Sequence, residues 1–281
     1  MAVLFEPDET HVGRDCGGRE LVVSAEDVTR YTAGTGTAAD GDWAPALLYH
    51  SEVYRDLSWY LPNLIGNLHA RQEWDLFHPM RIGDRVRSRS TVVERYAKRD
   101  RLYVVNEVLF TTSEDRWLQR SRTHQSFLAD QPTDELVVDR DRERRADRRF
   151  TVPEAGGDAL APLTRTITVA MCEAFSGPHR NYHTDREMAH ALGFPDIVVQ
   201  GMWSVCLIAD AVAARFGAGW HHGGRLDVRL VNVVWANDTL TAHGALREVV
   251  PEGRRRRVVL DVWCAKPDGT VTLIGTASAL E

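Results

Sequence analysis

Between Ser176 and Met202 the chain reads SGPHRNYHTDREMAHALGFPDIVVQGM, which holds a histidine at a loop-to-helix junction and a glycine at the start of a second, apolar helix. His183 has His179, Arg180, Asn181 and Asp185 in its immediate company. A histidine in such a turn can titrate near neutrality and act as both general base and general acid. Adding or removing water across an activated double bond requires both roles. A histidine that merely bonds its loop would look the same, and the residues alone leave the two readings level. Gly201 ends Ile197-Val198-Val199-Gln200 and opens the apolar run, so its N–H is one of the first four donors without an intrahelical partner. With no Cβ in the way and the helix dipole behind it, that N–H can hold a thioester carbonyl and stabilise the enolate formed when charge moves onto oxygen. A glycine needed only for a tight strand-to-helix entry is the equal alternative.

The elements that must position these residues follow from periodicity. Thr184 and Glu187 stand at capping-box spacing, Asp185 favours a positive helix start and Gly193 supplies a stop, so a short helix is expected over Asp185 to Leu192. From Met202 to Phe216 twelve of fifteen residues are apolar, which predicts a helix covered on most sides, as by a curved antiparallel sheet wrapped around it. Three strand-like runs follow an acid-bearing turn twice over. After Gly83-Asp84 they are Arg85 to Tyr96, Leu102 to Thr112 and Trp117 to Leu128; after Asn237-Asp238 they are Thr239 to Val250, Arg257 to Ala265 and Val271 to Leu280. The offset is 154 residues from Asp84 to Asp238 and 152 from Leu128 to Leu280, and its near constancy predicts a duplication. Leu47 to Tyr60 is the candidate helix of the first half, without the His-x-Asp signature. Charged residues interrupt the periodicity between Val137 and Arg149, giving a domain at 1–136, a linker at 137–160 and a domain at 161–281 that carries the site.

Composition narrows the function classes. With 281 residues, 43% hydrophobic and 26% charged, the chain has the balance of a soluble globular protein with ample core, and a net charge of −6 offers no general attraction for nucleic acid or an anionic membrane. The N-terminus lacks a signal-peptide pattern, the longest apolar run is too short to span a bilayer, and Cys16, Cys172, Cys206 and Cys264 have no metal or redox spacing. A cytoplasmic location with reduced cysteines is expected. His221-His222 reads as a flexible polar loop rather than a metal site, and Arg254 to Arg257 as a solvated run rather than a phosphate contact. Gly34-Thr35-Gly36 lacks the third glycine of a dinucleotide loop.

The same residues resemble the MaoC-like dehydratases and (R)-specific enoyl-CoA hydratases of the hot-dog fold, in their double hot-dog form. That family's motif, Ser-Gly-Asp-x-Asn-Pro-x-His-x-Asp with a later Ala, a Gly-Phe turn and a Gly-Met, is matched by Ser176-Gly177-Pro178-His179-Arg180-Asn181-Tyr182-His183-Thr184-Asp185, then Ala189, Gly193-Phe194 and Gly201-Met202. Val12-Gly13-Arg14 and the run His69 to Trp74, followed by Pro79 and Gly83-Asp84, resemble the family's N-terminal hot-dog. The resemblance implies an α+β fold of two tandem hot-dog domains, each a curved antiparallel sheet wrapped around a central helix, forming an internal pseudo-dimer. It makes His183 the catalytic histidine and Gly201 the carbonyl-holding glycine. The family's catalytic aspartate falls on Pro178, which can neither orient water nor accept a proton.

The expected activity is therefore a hydratase or dehydratase acting on an enoyl or 3-hydroxyacyl thioester through a non-standard site. His183 and Gly201 are its catalytic residues, with Asn181 and Arg180 orienting water or the hydroxyl leaving group. His179, Tyr182, Asp185, Gln200, Met202 and Trp203 are expected to line the substrate. No separate cofactor or metal is expected, coenzyme A or an acyl carrier being part of the substrate; the partner is a small molecule, with no nucleic acid or membrane, and a homodimer is compatible. A diverged lyase, isomerase or cyclase, a non-catalytic partner subunit and a thioesterase are the competing readings.

Overall fold

The computed structural model describes residues 10–37, 43–56, 68–99, 101–128, 149–153 and 160–281. In the first half, strand β1 (Asp15–Val22) precedes helix α1 (Ala25–Thr35) and a short helix α2 (Glu52–Asp56). Strands β2 (Leu68–Leu76), β3 (Arg85–Lys98), β4 (Arg101–Thr112) and β5 (Trp117–Leu128) follow. The second half runs β6 (Leu163–Thr166), α3 (Val169–Ser176), α4 (Arg186–Ala191), α5 (Met202–Phe216), α6 (Ala218–His221), β7 (Arg225–Leu230), β8 (Thr239–Glu252), β9 (Arg255–Ala265) and β10 (Val271–Leu280). The ten strands of the described residues join one antiparallel sheet in the order β1-β3-β4-β5-β2-β7-β10-β9-β8-β6. Reading that order from either end gives the same succession of equivalent strands, so the duplication is a pseudo-two-fold whose axis passes between β2 and β7.

Details of the backbone obey the repeat. The β3–β4 ladder shifts register between Val92 and Glu94, and the β8–β9 ladder between Leu246 and Glu248, which is 154 residues later. Each acid-bearing turn is closed by its own aspartate: Asp84 accepts from the Arg81 N–H at 2.7 Å and Asp238 from the Trp235 N–H at 2.8 Å. Gly83 and Asn237 precede these acids with φ of 96° and 70°, a left-handed turn that glycine and asparagine tolerate. Ser24 and Thr168 cap α1 and α3 with side chains that accept from Asp27 N and Met171 N.

The core forms where the sheet folds over α5, ten of whose fifteen residues are buried, as expected of a helix with almost no polar face. Trp203, Val205, Cys206, Leu207 and Ile208 are each at most 1% exposed, and burying one large aliphatic side chain contributes about 1.5–3 kcal/mol. Several contacts lock the halves together. Arg71 of β2 grips Asp227 of β7 with two bonds of 2.6 and 2.7 Å. Gly34 of α1 lets that helix rest on the backbone of Phe175 in α3, where an added Cβ would lie 2.9 Å from the Phe175 Cα. Arg165 meets Asp210 of α5 at 2.6 Å, with Thr37 donating to the same carboxylate.

Several expectations change. The capped helix starts one residue later than the capping box implied: Asp185, not Thr184, accepts from the Met188 N–H, while the Thr184 hydroxyl accepts from the Asn181 N–H inside the preceding turn. The candidate helix at 47–60 is a succession of turns followed by α2, with 57–60 outside the described residues. His221-His222 is no flexible loop: His221 ends α6, is 5% exposed and packs on the Trp43 ring at 4.8 Å. Arg257 is not solvated but 7% exposed, held by Glu252, the Gly223 carbonyl and Ser278. Most of the linker at 137–160 lies outside the described residues; Phe150 and Val152 pack against a cluster of Ala245, Trp263 and Val271. All four cysteines are free thiols.

Candidate active site

The loop joining α3 to α4 is stapled by Asn181. Its Nδ2 donates to the carbonyls of Ser176 and His179, and its Oδ1 accepts from the His183 N–H at 2.8 Å. Both ends of the amide are therefore used in holding the loop that carries His183. Arg180 stands on the surface, where its guanidinium binds Asp185 and Glu187. Asp185 divides its carboxylate between that arginine and the α4 cap, and both interactions hold its pKa below the ordinary carboxylate value, the Met188 N–H most strongly. His179 and Pro178 are exposed. The polar cluster of the sequence thus separates into a loop staple, a surface ion pair and one inward-facing imidazole.

That imidazole is His183. Its Nδ1 lies 2.7 Å from the Val198 carbonyl oxygen, which only accepts, so Nδ1 carries the proton and Nε2 keeps the lone pair. Burial lowers its pKa to about 4 against the opposing pull of the Val198 carbonyl, leaving a neutral base near pH 7. Tyr182 covers the ring at 3.9 Å between centroids and stacks in turn on Phe194, which leans on Trp235. The Val198 N–H donates to the Tyr182 carbonyl at 3.2 Å, so Val198 binds the histidine loop with both its backbone groups. Three residues further on is Gly201, which links the two residues singled out by sequence through one short backbone segment.

Gly201 has φ −55° and ψ −33°, ordinary right-handed backbone, so its lack of a side chain is a matter of space and not of conformation. A Cβ there would stand 2.6 Å from Leu230 Cδ1 and 3.5 Å from His69 Nδ1. Its N–H makes no hydrogen bond among the described residues and heads a helix of fifteen residues. This is an open donor with the positive end of a helix dipole behind it. Gln200 beside it is half-buried, with Oε1 enclosed and unpartnered among the described residues. Met202 and Trp203 point into the core, the Trp203 indole donating to the Gly34 carbonyl at 2.9 Å, so they support the helix start from behind.

Facing Gly201 are residues of the first half that the single-site reading of the sequence did not pick out. Tyr54, on α2, lies 2.9 Å through its hydroxyl from His69 Nδ1, and His69 Nε2 lies 3.1 Å from Gln72 Oε1. The protons can be assigned. Gln72 Nε2 donates to the Glu73 carbonyl and to Ser121 Oγ, and Thr123 donates to Gln72 Oε1, so Oε1 is the acceptor. His69 Nε2 therefore carries the hydrogen, and Nδ1 accepts from Tyr54. Burial lowers the His69 pKa to about 4, so this imidazole is neutral too. His69 begins the run that resembled the family's first domain, but its reach across to Gly201 depends on the β2–β7 junction, which spacing within one half does not reveal. Gln72, in register with the apolar Trp74 and Leu76 on the buried face of β2, is a local signal of a polar network there.

Residues 150–261 match the sequence model of a family described as MaoC like domain. Among solved structures the chain superposes on a MaoC-like dehydratase from Phytophthora capsici with a TM-score of 0.72 at 15% identity, over 99% of this chain and 98% of that one. It superposes on the full-length peroxisomal multifunctional enzyme type 2 from Drosophila melanogaster with a TM-score of 0.65 at 16% identity, over 94% of this chain and 48% of that one. This chain therefore spans about half the length of the Drosophila protein. A conserved hypothetical protein from Mycobacterium tuberculosis with a double hotdog fold matches with a TM-score of 0.60 at 11% identity, over 97% and 96% of the two chains. No curated protein matches in sequence. At these identities the likeness establishes the fold, an α+β double hot-dog.

Proposed function

From a chain whose residues 150–261 match a MaoC like domain in sequence and whose fold is a double hot-dog, we propose a hydratase or dehydratase of acyl thioesters with His183 as its base. The observation that carries this reading is the Nδ1–H bond from His183 to the carbonyl of Val198, which leaves Nε2 a neutral lone pair and ties the imidazole to a residue three positions before the open N–H of Gly201. In the hydration direction, Nε2 takes a proton from water as the water oxygen bonds to the β-carbon of a 2-enoyl thioester. The double-bond electrons move through the α-carbon onto the thioester oxygen, where the Gly201 N–H and the helix dipole meet the charge. Return of the proton from the imidazolium to the α-carbon completes the addition of one water; the reverse sequence removes it. Coenzyme A or an acyl carrier would be the thiol half of the substrate. The site is non-standard because Pro178 occupies the place of the family's aspartate, and the nearby Asp185 is engaged by Arg180 and the α4 cap.

The test is the ultraviolet loss of 2-enoyl-CoA substrates with short, branched and aromatic acyl groups. Turnover by the wild type, abolished in His183→Ala, is expected. Absence of turnover across the panel refutes the proposal, and release of free thiol without loss of the double bond would assign a thioesterase instead.

A further inference from the structure

Tyr54 and His69 belong to the first half, yet they border the space beside Gly201 in the second. His69 Nδ1 would lie 3.5 Å from a Cβ placed on Gly201, and the Tyr54 hydroxyl is 2.9 Å from the same nitrogen. The network behind them has a fixed direction. Thr123 and His69 both donate to Gln72 Oε1, Gln72 is anchored on Glu73 and Ser121, and Tyr54 donates to His69. Once that hydroxyl hydrogen is committed to His69, the Tyr54 oxygen can only accept further bonds, so toward a ligand it behaves as a fixed acceptor. A fixed acceptor is what water needs from its second contact: one hydrogen goes to the base, the other to the acceptor, and the oxygen lone pair is left pointing at carbon.

We propose that the Tyr54–His69 pair, anchored on Gln72, is the second polar arm of the site. In it the Tyr54 oxygen accepts a hydrogen bond from the water or hydroxyl group of the thioester substrate while His183 moves the proton. This assignment rests on the hydration reading above and deepens it, because it supplies from the first half the oxygen acceptor that Pro178 cannot provide. No proton is lost or gained by the arm. The hydrogen it accepts stays on the substrate oxygen and becomes that of the 3-hydroxyl. Tyr54 touches the reacting water and is catalytic in that sense; His69 is a positioning residue that acts through Tyr54.

The experiment compares Tyr54→Phe, His69→Leu and His69→Gln in the full chain. Tyr54→Phe removes one oxygen and should lower kcat about tenfold or more while leaving KM within about twofold, since a contact to the attacking water contributes little to holding the thioester. His69→Leu should reproduce that loss. His69→Gln retains one acceptor and one donor along the same line and should recover most of the rate, which a purely steric role would not produce. Unchanged kcat in Tyr54→Phe, or equal losses in His69→Leu and His69→Gln with unchanged thermal midpoints, overturns the arm. If the wild type turns over no enoyl-CoA, the hydration reading fails on its own. The arm is then read by calorimetric binding of 3-hydroxybutyryl-CoA, whose hydroxyl is the group the arm would hold. At least tenfold weaker binding by Tyr54→Phe supports it, and equal affinity, or no binding by either protein, overturns it.

Discussion

Replacing Gly201 by alanine separates the carbonyl-holding role proposed for it from its part in the fold. The backbone there is right-handed at φ −55°, so alanine meets no conformational penalty. As an N-cap, alanine is a poorer choice than glycine by about 0.5–1 kcal/mol. The new methyl would come within 2.6 Å of Leu230 Cδ1, the far end of a flexible side chain that can turn aside, and within 3.5 Å of His69 Nδ1, which is ordinary contact. Displacing one leucine tip adds about 1 kcal/mol, so the variant should fold with a total loss of about 2 kcal/mol or less. Catalysis should suffer far more. The methyl fills the approach to the N–H, and losing one donor to a developing oxyanion lowers kcat about a hundredfold to a thousandfold. Thermal unfolding and steady-state hydration of crotonyl-CoA should be measured together for Gly201→Ala and for Gly201→Ala with Leu230→Ala, where the clash is relieved and the donor remains obstructed. The reasoning is refuted if the single variant keeps its rate within about threefold, or if Leu230→Ala restores the rate, since either result would mean that the N–H is not where the charge develops.

The pH profile should follow His183: because its pKa is lowered to about 4, the lone pair exists above that value, so kcat/KM should stay level from about pH 5 to 8 and fall below, and a midpoint near 6.5 would contradict the buried neutral base. His50 is 6% exposed, stacked on Phe175 at 4.0 Å, with its pKa lowered from 6.5 to about 3 by burial. The unfolded chain takes a proton there as pH falls below 6.5 and the folded chain does not, so stability present above 6.5 is lost on acidification. His50→Phe should lessen that loss by about 2 kcal/mol at pH 5, read from urea midpoints at pH 5 and 7.5. Asp210→Ala leaves the half-buried Arg165 without its 2.6 Å partner and should cost about 3 kcal/mol, the low end for breaking a buried pair, by chemical denaturation. Gly34→Ala should cost about 1–3 kcal/mol by the same measurement, because the obstacle is Phe175 backbone, which cannot turn away.

The parts of the fold legible in the sequence are those in which side-chain periodicity and backbone geometry are tied together. Trp117–Leu128 and Val271–Leu280 have the expected ends, and the acid-closed turns at Asp84 and Asp238 mark the repeat because each carboxylate bonds the N–H three residues earlier. The apolar sequence of Met202–Phe216 revealed burial for the same reason. What periodicity does not contain is the partner of a polar side chain. Arg180, Asn181, Asp185 and His183 are alike in sequence as polar residues of one loop, and only the three-dimensional turn decides that the first three hold the loop and one another. Tyr54 and His69 were hidden for a stronger reason: the residue they border is more than 130 positions away in the chain.

That separation bears on why a duplicated chain holds an unequal pair of halves. The bridge between Val198 and Trp235 in the second half is matched by one between Trp43 and Arg81 in the first. Where Val198 offers its carbonyl to His183, the equivalent position carries Trp43, whose ring is packed against His221 and His222 from the other half. Across the β2–β7 junction each half thus sends side chains to the other, but the two exchanges differ in chemistry. One closes a place with aromatic rings; the other sets a neutral imidazole and a tyrosine oxygen beside an open helix N–H. Two copies joined in one chain can diverge in this way, since a substitution at Trp43 alters one end of the pseudo-dimer only, whereas in a true homodimer it would alter both. Under the hydration reading proposed above, the oxygen acceptor that Pro178 cannot supply comes instead from Tyr54 of the first half, whose hydroxyl is fixed by His69.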